Sequence, residues 1–120
     1  MAVVPQQRWL TVEQVGDVGV ARFTRRRLLD EGPIQATGEQ LYELVEDPGL
    51  HKFILDFGRV EALSSALVGK LFALHRRLRE TGGRLVLCGV RPHLFEVFEV
   101  LKIPQLFRVY RTEQEALQAL

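Results

Sequence analysis

Lys52–Val68 reads KFILDFGRVEALSSALV. Phe53, Ile54 and Leu55 form an apolar run that closes at Asp56, and Gly58-Arg59 makes a short polar crossing. Ser64 and Ser65 then stand directly before a helical pattern. An apolar run without alternation suits a strand buried on both faces, in a sheet covered by helices. A serine before a helix suits an N-cap, its hydroxyl accepting from a free backbone N–H. The same position tolerates a phosphate, because free N–H donors and the positive end of the helix dipole point outward there. The stretch therefore predicts a central strand that hands a serine pair to a helix.

Downstream, Leu67, Leu71, Leu74 and Leu78 recur at helical spacing, with Lys70, Arg76, Arg77 and Arg79 off that stripe. This predicts the longest helix, from Ser64 or Ser65 to about Thr81, stopped by Gly82-Gly83. Arg84 to Val90 reads as a second buried strand. Pro92 opens another helix at a position that tolerates proline. Its expected apolar face is Leu94, Val97, Phe98 and Leu101, with Phe95 off that face as a second core layer or a contact surface. Leu106 to Arg111 reads as a short strand, and Thr112 with Glu115 has capping-box spacing for a last helix.

Upstream, residues 1–7 read as a loose lead-in and Arg8 to Arg22 as a hairpin turning at Gly16-Asp17. Arg25-Arg26-Arg27 reads as a solvated loop or strand edge, and Leu28 to Pro33 as a turn-rich crossing. A helix is expected from Ile34 or Thr37 to Glu46, with Thr37 and Gln40 at capping-box spacing, ended by Asp47-Pro48-Gly49. The order is β-β-α-β-α-β-α-β-α. It predicts a single α/β domain over residues 1–120 with a mixed, mostly parallel sheet, an N-terminal antiparallel hairpin and about four helices.

Composition narrows the function. With 16 basic and 15 acidic residues the net charge is +1, which gives no electrostatic case for nucleic acid. The single cysteine, Cys88, sits in an apolar run and supports neither a disulfide framework nor a cysteine metal site. His51, His75 and His93 share no metal-ligand spacing. No phosphate loop, dinucleotide fingerprint or nucleophile elbow is present, so the expectation is no catalytic residue, no metal and no cofactor. A nucleotide sensor is likewise without a motif. MAVVPQQRW is not a signal peptide, and no apolar run reaches the roughly 18 residues needed to span a bilayer. The expected setting is cytoplasmic.

Asp56-Phe57-Gly58-Arg59-Val60-Glu61-Ala62-Leu63-Ser64-Ser65-Ala66-Leu67 resembles the signature of the STAS domain, the anti-sigma-factor antagonist family. GGRLVLCGV, RPHLFEVFEVLKI and LFRVYRTEQEAL resemble its following strand, helix, and closing strand and helix. The resemblance implies a STAS-like fold and a regulatory, bacterial, non-enzymatic protein with a protein partner, an anti-sigma factor that is also a serine kinase. By position it implies Ser64 as the phosphoacceptor, and Asp56, Ser64, Ser65 and Ala66 as the partner-binding set. Leu63 stands where the signature has an acid, and Ala66 where it has glycine. The alternative is a STAS scaffold that assembles complexes or homodimers without phosphorylation.

Overall fold

The computed structural model describes residues 9–120. The lead-in expected at residues 1–7, and Arg8 at the head of the hairpin, lie outside the described residues.

Strands β1 (Leu10–Val15) and β2 (Val18–Phe23) form the expected antiparallel hairpin, with Val15 opposite Val18 across Gly16-Asp17. β4 (Lys52–Asp56), β6 (Arg84–Cys88) and β7 (Val109–Tyr110) continue the sheet in the order β1-β2-β4-β6-β7, all parallel from β2 onward. The helices are α1 (Glu31–Val45), α2 (Ser65–Thr81), α3 (Pro92–Val100) and α4 (Glu113–Ala119).

The pleat of β4 explains its unbroken apolar run. Phe53 and Leu55 face a core built with Leu41 of α1, Leu71 of α2 and Phe98 of α3. Ile54 faces the other way, into a smaller cluster with Val20, Val86, Cys88 and Ala116 of α4. A strand covered on both faces has no solvent side on which to place polar residues. At each end of α2 the local signals hold. Gly82 adopts φ 76° and donates its N–H to the Leu78 carbonyl, the left-handed cap that glycine reaches without a Cβ clash.

Three expectations need correction. Helix α1 starts at Glu31, with Asp30 at its N-cap, several residues before the expected start. Pro33 sits within the first turn, where backbone N–H groups have no helical partner and a missing one is not felt. Thr37 is therefore a buried interior residue and no cap. In α3 only Leu94 and Phe98 are buried; Val97 and Leu101 face outward at 47% and 38% exposure. The helix ends at Val100, the chain turns through Lys102 in a left-handed conformation, and Ile103 takes the core position expected of Leu101. Phe95 is half-buried.

The third correction lies beside the serines. Arg27–Leu28 and Ala62–Leu63 form a separate two-stranded parallel sheet, β3 with β5, pairing Arg27 with Ala62 and Leu28 with Leu63. The arginine run is thus a structural partner of the serine loop through its backbone.

Candidate functional site

The site is the loop from Phe57 to Ser64 and the first turn of α2. Its backbone is held from several directions. Arg26 O accepts from the N–H groups of Glu61 (2.7 Å) and Ala62 (3.1 Å), and Leu28 O accepts from Ser64 N–H (3.0 Å). Phe57 N–H donates to Cys88 O at 2.9 Å and Val60 N–H to Phe57 O at 2.9 Å. His93 Nε2 lies 2.6 Å from Glu61 O, which ties the first turn of α3 to the same loop. Beneath, Val60 and Phe57 are fully buried. Phe57 stacks against Phe23 at 4.9 Å between centroids and meets Phe98 edge-on at 5.5 Å.

Ser64 is the N-cap of α2. It is extended at φ −85°, ψ 161°, and its Oγ accepts from Leu67 N–H at 3.3 Å. The first turn carries no acidic residue, so the positive end of the helix is left uncompensated by side chains. Ser64 is half-buried; Ser65 and Ala66 are exposed. Leu63, in the place of the signature's acid, packs partly against the main core. Ala66 also opens a groove of about 690 Å³ between α1 and α2, where Gln35 and Lys70 are hydrogen-bonded at 3.0 Å.

Of the residues expected at the site, the structure brings Ser64, Ser65 and Ala66 together on one surface. Asp56 is placed differently. Its side chain lies on the α4 side of the sheet, where Oδ1 accepts from Gly58 N–H at 2.7 Å and the carboxyl neighbours Glu113. Glu113 in turn receives Arg22 through two contacts, Nε to Oε2 at 2.5 Å and Nη2 to Oε1 at 2.8 Å. Arg22 also reaches Glu13 Oε1 at 3.4 Å. Asp56 therefore shapes the start of the loop from behind.

The two neighbouring carboxyls titrate far apart. Burial, then the bond to Glu113, pushes Asp56 up to about 6, whereas the Arg22 guanidinium holds Glu113 down near 2. Below about pH 6 Asp56 carries a proton while Glu113 keeps its charge. Burial also pushes the neighbouring Cys88 thiol up to about 12, which keeps it protonated at neutral pH. The linkage signs are opposite. The Glu113 contribution is full above its ordinary 4.5 and is lost as pH falls through about 2. The Asp56 contribution is full below its ordinary 3.8 and is lost as pH rises through about 6. Asp56→Asn keeps the acceptor for Gly58 and supplies a permanent donor to Glu113. It is expected to flatten the fall in stability across that upper window and to add about 1 kcal/mol at neutral pH, the partial exposure of Asp56 screening the full effect. Urea unfolding of both proteins at several pH values checks this; an unchanged slope in the Asn protein contradicts the raised titration of Asp56.

Sequence reading missed the supports of this loop. Two-residue strands are too short to show periodicity, so β3 and β5 left no signal. Gly89, just after β6, did leave one, since glycine after a strand marks a turn or close approach. It has φ 69°, and an added Cβ would lie 2.9 Å from Asp56 Oδ1. Among the described residues, no helix is long and apolar enough to cross a membrane, and no group of three or more His, Cys, Asp or Glu side chains could hold a metal ion.

Comparison with known proteins places this geometry in a family. Residues 10–116 match the STAS domain. A Bordetella bronchiseptica protein named as the anti-sigma factor antagonist BtrV is 36% identical over 73 residues, 61% of this chain and 63% of that protein, so the match spans less than two thirds of the relative. The structure of an anti-sigma-factor antagonist (STAS) domain protein from Planctomyces limnophilus superposes with a TM-score of 0.81 at 27% identity, over 92% of this chain and 95% of that one. The phosphorylated form of SpoIIAA, a Bacillus cell fate determinant, superposes with a TM-score of 0.72 at 21% identity, over 92% and 97% of the two chains, a likeness of fold. With a match over nearly its whole described length, the chain belongs to the STAS domain family and is similar to its anti-sigma factor antagonists.

Proposed function

We propose that this chain is a partner-switching regulator that binds an anti-sigma factor with serine-kinase activity and releases it when Ser64 is phosphorylated. The observation that carries the reading is the position of Ser64: a half-buried N-cap hydroxyl at the head of an exposed first turn, on a loop braced by three neighbouring segments. The names of the BtrV relative and of phosphorylated SpoIIAA support it. Ser64, Ser65 and Ala66 form the docking surface, and Asp56 sets the loop that presents them. The partner supplies the nucleotide. The bond from its terminal phosphorus to the bridging oxygen breaks, a bond from Ser64 Oγ to phosphorus forms, and the hydroxyl proton passes to a base on the kinase. The phosphate adds a charge of roughly −1.5 to −2. The free N–H groups of the first turn can donate to it, while the partner loses a neutral contact.

The test uses Ser64→Ala and Ser64→Asp. Stability and binding are expected to move in opposite orders, which separates the switch from misfolding. Alanine cannot cap and costs about 1 kcal/mol, whereas aspartate caps as well as serine. Ser64→Ala should nonetheless keep the partner, and Ser64→Asp should bind at least about tenfold more weakly, a difference of about 1.4 kcal/mol. The partner, captured from the native cell, identified and purified, should with ATP add about 80 Da to the wild-type chain and nothing to the Ala protein. Undiminished binding of Ser64→Asp rules out the switch. A partner that binds but never phosphorylates Ser64 leaves the scaffold reading in its place.

A further inference from the structure

A second cleft opens at the end of the sheet opposite Ser64, beside the start of β6 and the approach to β7. Its volume is about 240 Å³, and Arg79, Arg84, Arg108 and His75 line it with no acidic residue among the lining. Among the described residues, Arg22, Lys52 and Arg77 each have a carboxylate partner, whereas none lies within ion-pair distance of Arg79, Arg84 or Arg108. Arg79 sits in the last turn of α2, where a cation complements the helix dipole. Arg84 and Arg108 come from strand ends and have no such reason to be there. The parallel pairing of β6 with β7, with Leu87 N–H donating to Arg108 O at 2.8 Å, sets both residues at the same end of the sheet. Three cations without carboxylate partners at one cleft attract an anion to it. On one side Phe107 packs edge-on to His75 at 5.5 Å, giving the cleft an aromatic wall.

We propose that this cleft binds the phosphate of a small phosphate-bearing ligand. Guanidinium groups match phosphate oxygens in a two-pronged fashion, which a diffuse basic surface does not require. The volume lies below the roughly 300–1,000 Å³ of drug-sized ligand sites, so it suits a phosphate or diphosphate group better than a large molecule. The phosphate can belong to a free metabolite or to a lipid headgroup. The site is remote from Ser64 and does not rest on the reading of that serine.

The test titrates pyrophosphate into the ¹⁵N-labelled chain at constant ionic strength. Saturable shifts are expected at the amides of Gly83 to Leu85 and Phe107 to Val109, with the dissociation constant raised at least about tenfold in Arg84→Gln/Arg108→Gln. Both arginines are exposed, and the remainder of the double variant's spectrum reports whether its fold is kept. Co-sedimentation with phosphatidylglycerol vesicles distinguishes the source: arginine-dependent vesicle binding assigns the phosphate to a lipid, and arginine-dependent pyrophosphate binding alone assigns it to a soluble ligand. Shifts scattered over all surface arginines, or equal affinity in the folded double variant, overturn the site.

Discussion

Phe57→Ala is expected to lower the unfolding free energy by about 3–5 kcal/mol, a large share of the roughly 5–15 kcal/mol that holds a domain of this size. The side chain is fully buried and is the middle member of the Phe23–Phe57–Phe98 stack. That stack joins β2, the serine loop and α3. Truncation removes the transfer energy of the ring and leaves a cavity among three elements that cannot all collapse onto it. The two aromatic contacts are lost as well, each worth about 0.5–1.5 kcal/mol beyond area. Urea unfolding followed by circular dichroism measures the loss; a fall of less than about 1.5 kcal/mol would mean that the neighbouring rings close the gap. Phe57 also begins the loop that ends at Ser64, so partner binding should weaken in the same protein under conditions where it remains folded.

Gly89→Ala should cost about 2–3 kcal/mol, more than a left-handed conformation explains by itself. At φ 69° any Cβ is strained, and here it would also meet Asp56 Oδ1 at 2.9 Å and the Gly58 backbone at 3.1 Å. Neither neighbour is a flexible chain end: Asp56 Oδ1 is held by Gly58 N–H at 2.7 Å. Gly82→Ala is the control. Gly82 has φ 76° with nothing within 4 Å of the added carbon, so its substitution should cost only the conformational strain, about 1–2 kcal/mol. The difference between the two, read from paired denaturation curves, measures the close packing of the β4 and β6 loop ends. Equal losses would show that those loops yield to the methyl group.

Much of this protein is legible one segment at a time. The run Phe53–Leu55 suits a strand covered on both sides, the leucine stripe from Leu67 to Leu78 suits a helix covering a core, and Ser64 and Gly82 mark the ends of α2 by their own chemistry. Those are local facts, set by period, backbone freedom and hydrogen-bonding capacity, and they survive folding unchanged. Tertiary structure decided the rest. Which of Leu101 and Ile103 reaches the core depends on where α3 stops against the sheet. Asp56 turns away from the serines because its neighbours on β2 and α4, Arg22 and Glu113, are far from it in the chain and meet it only across the sheet. The loop that presents Ser64 is held by Arg26, Leu28 and His93, through backbone carbonyls and a ring nitrogen that no spacing rule links to it. Sequence specified the serine and its cap; long-range pairing specified where that serine points and what stands around it.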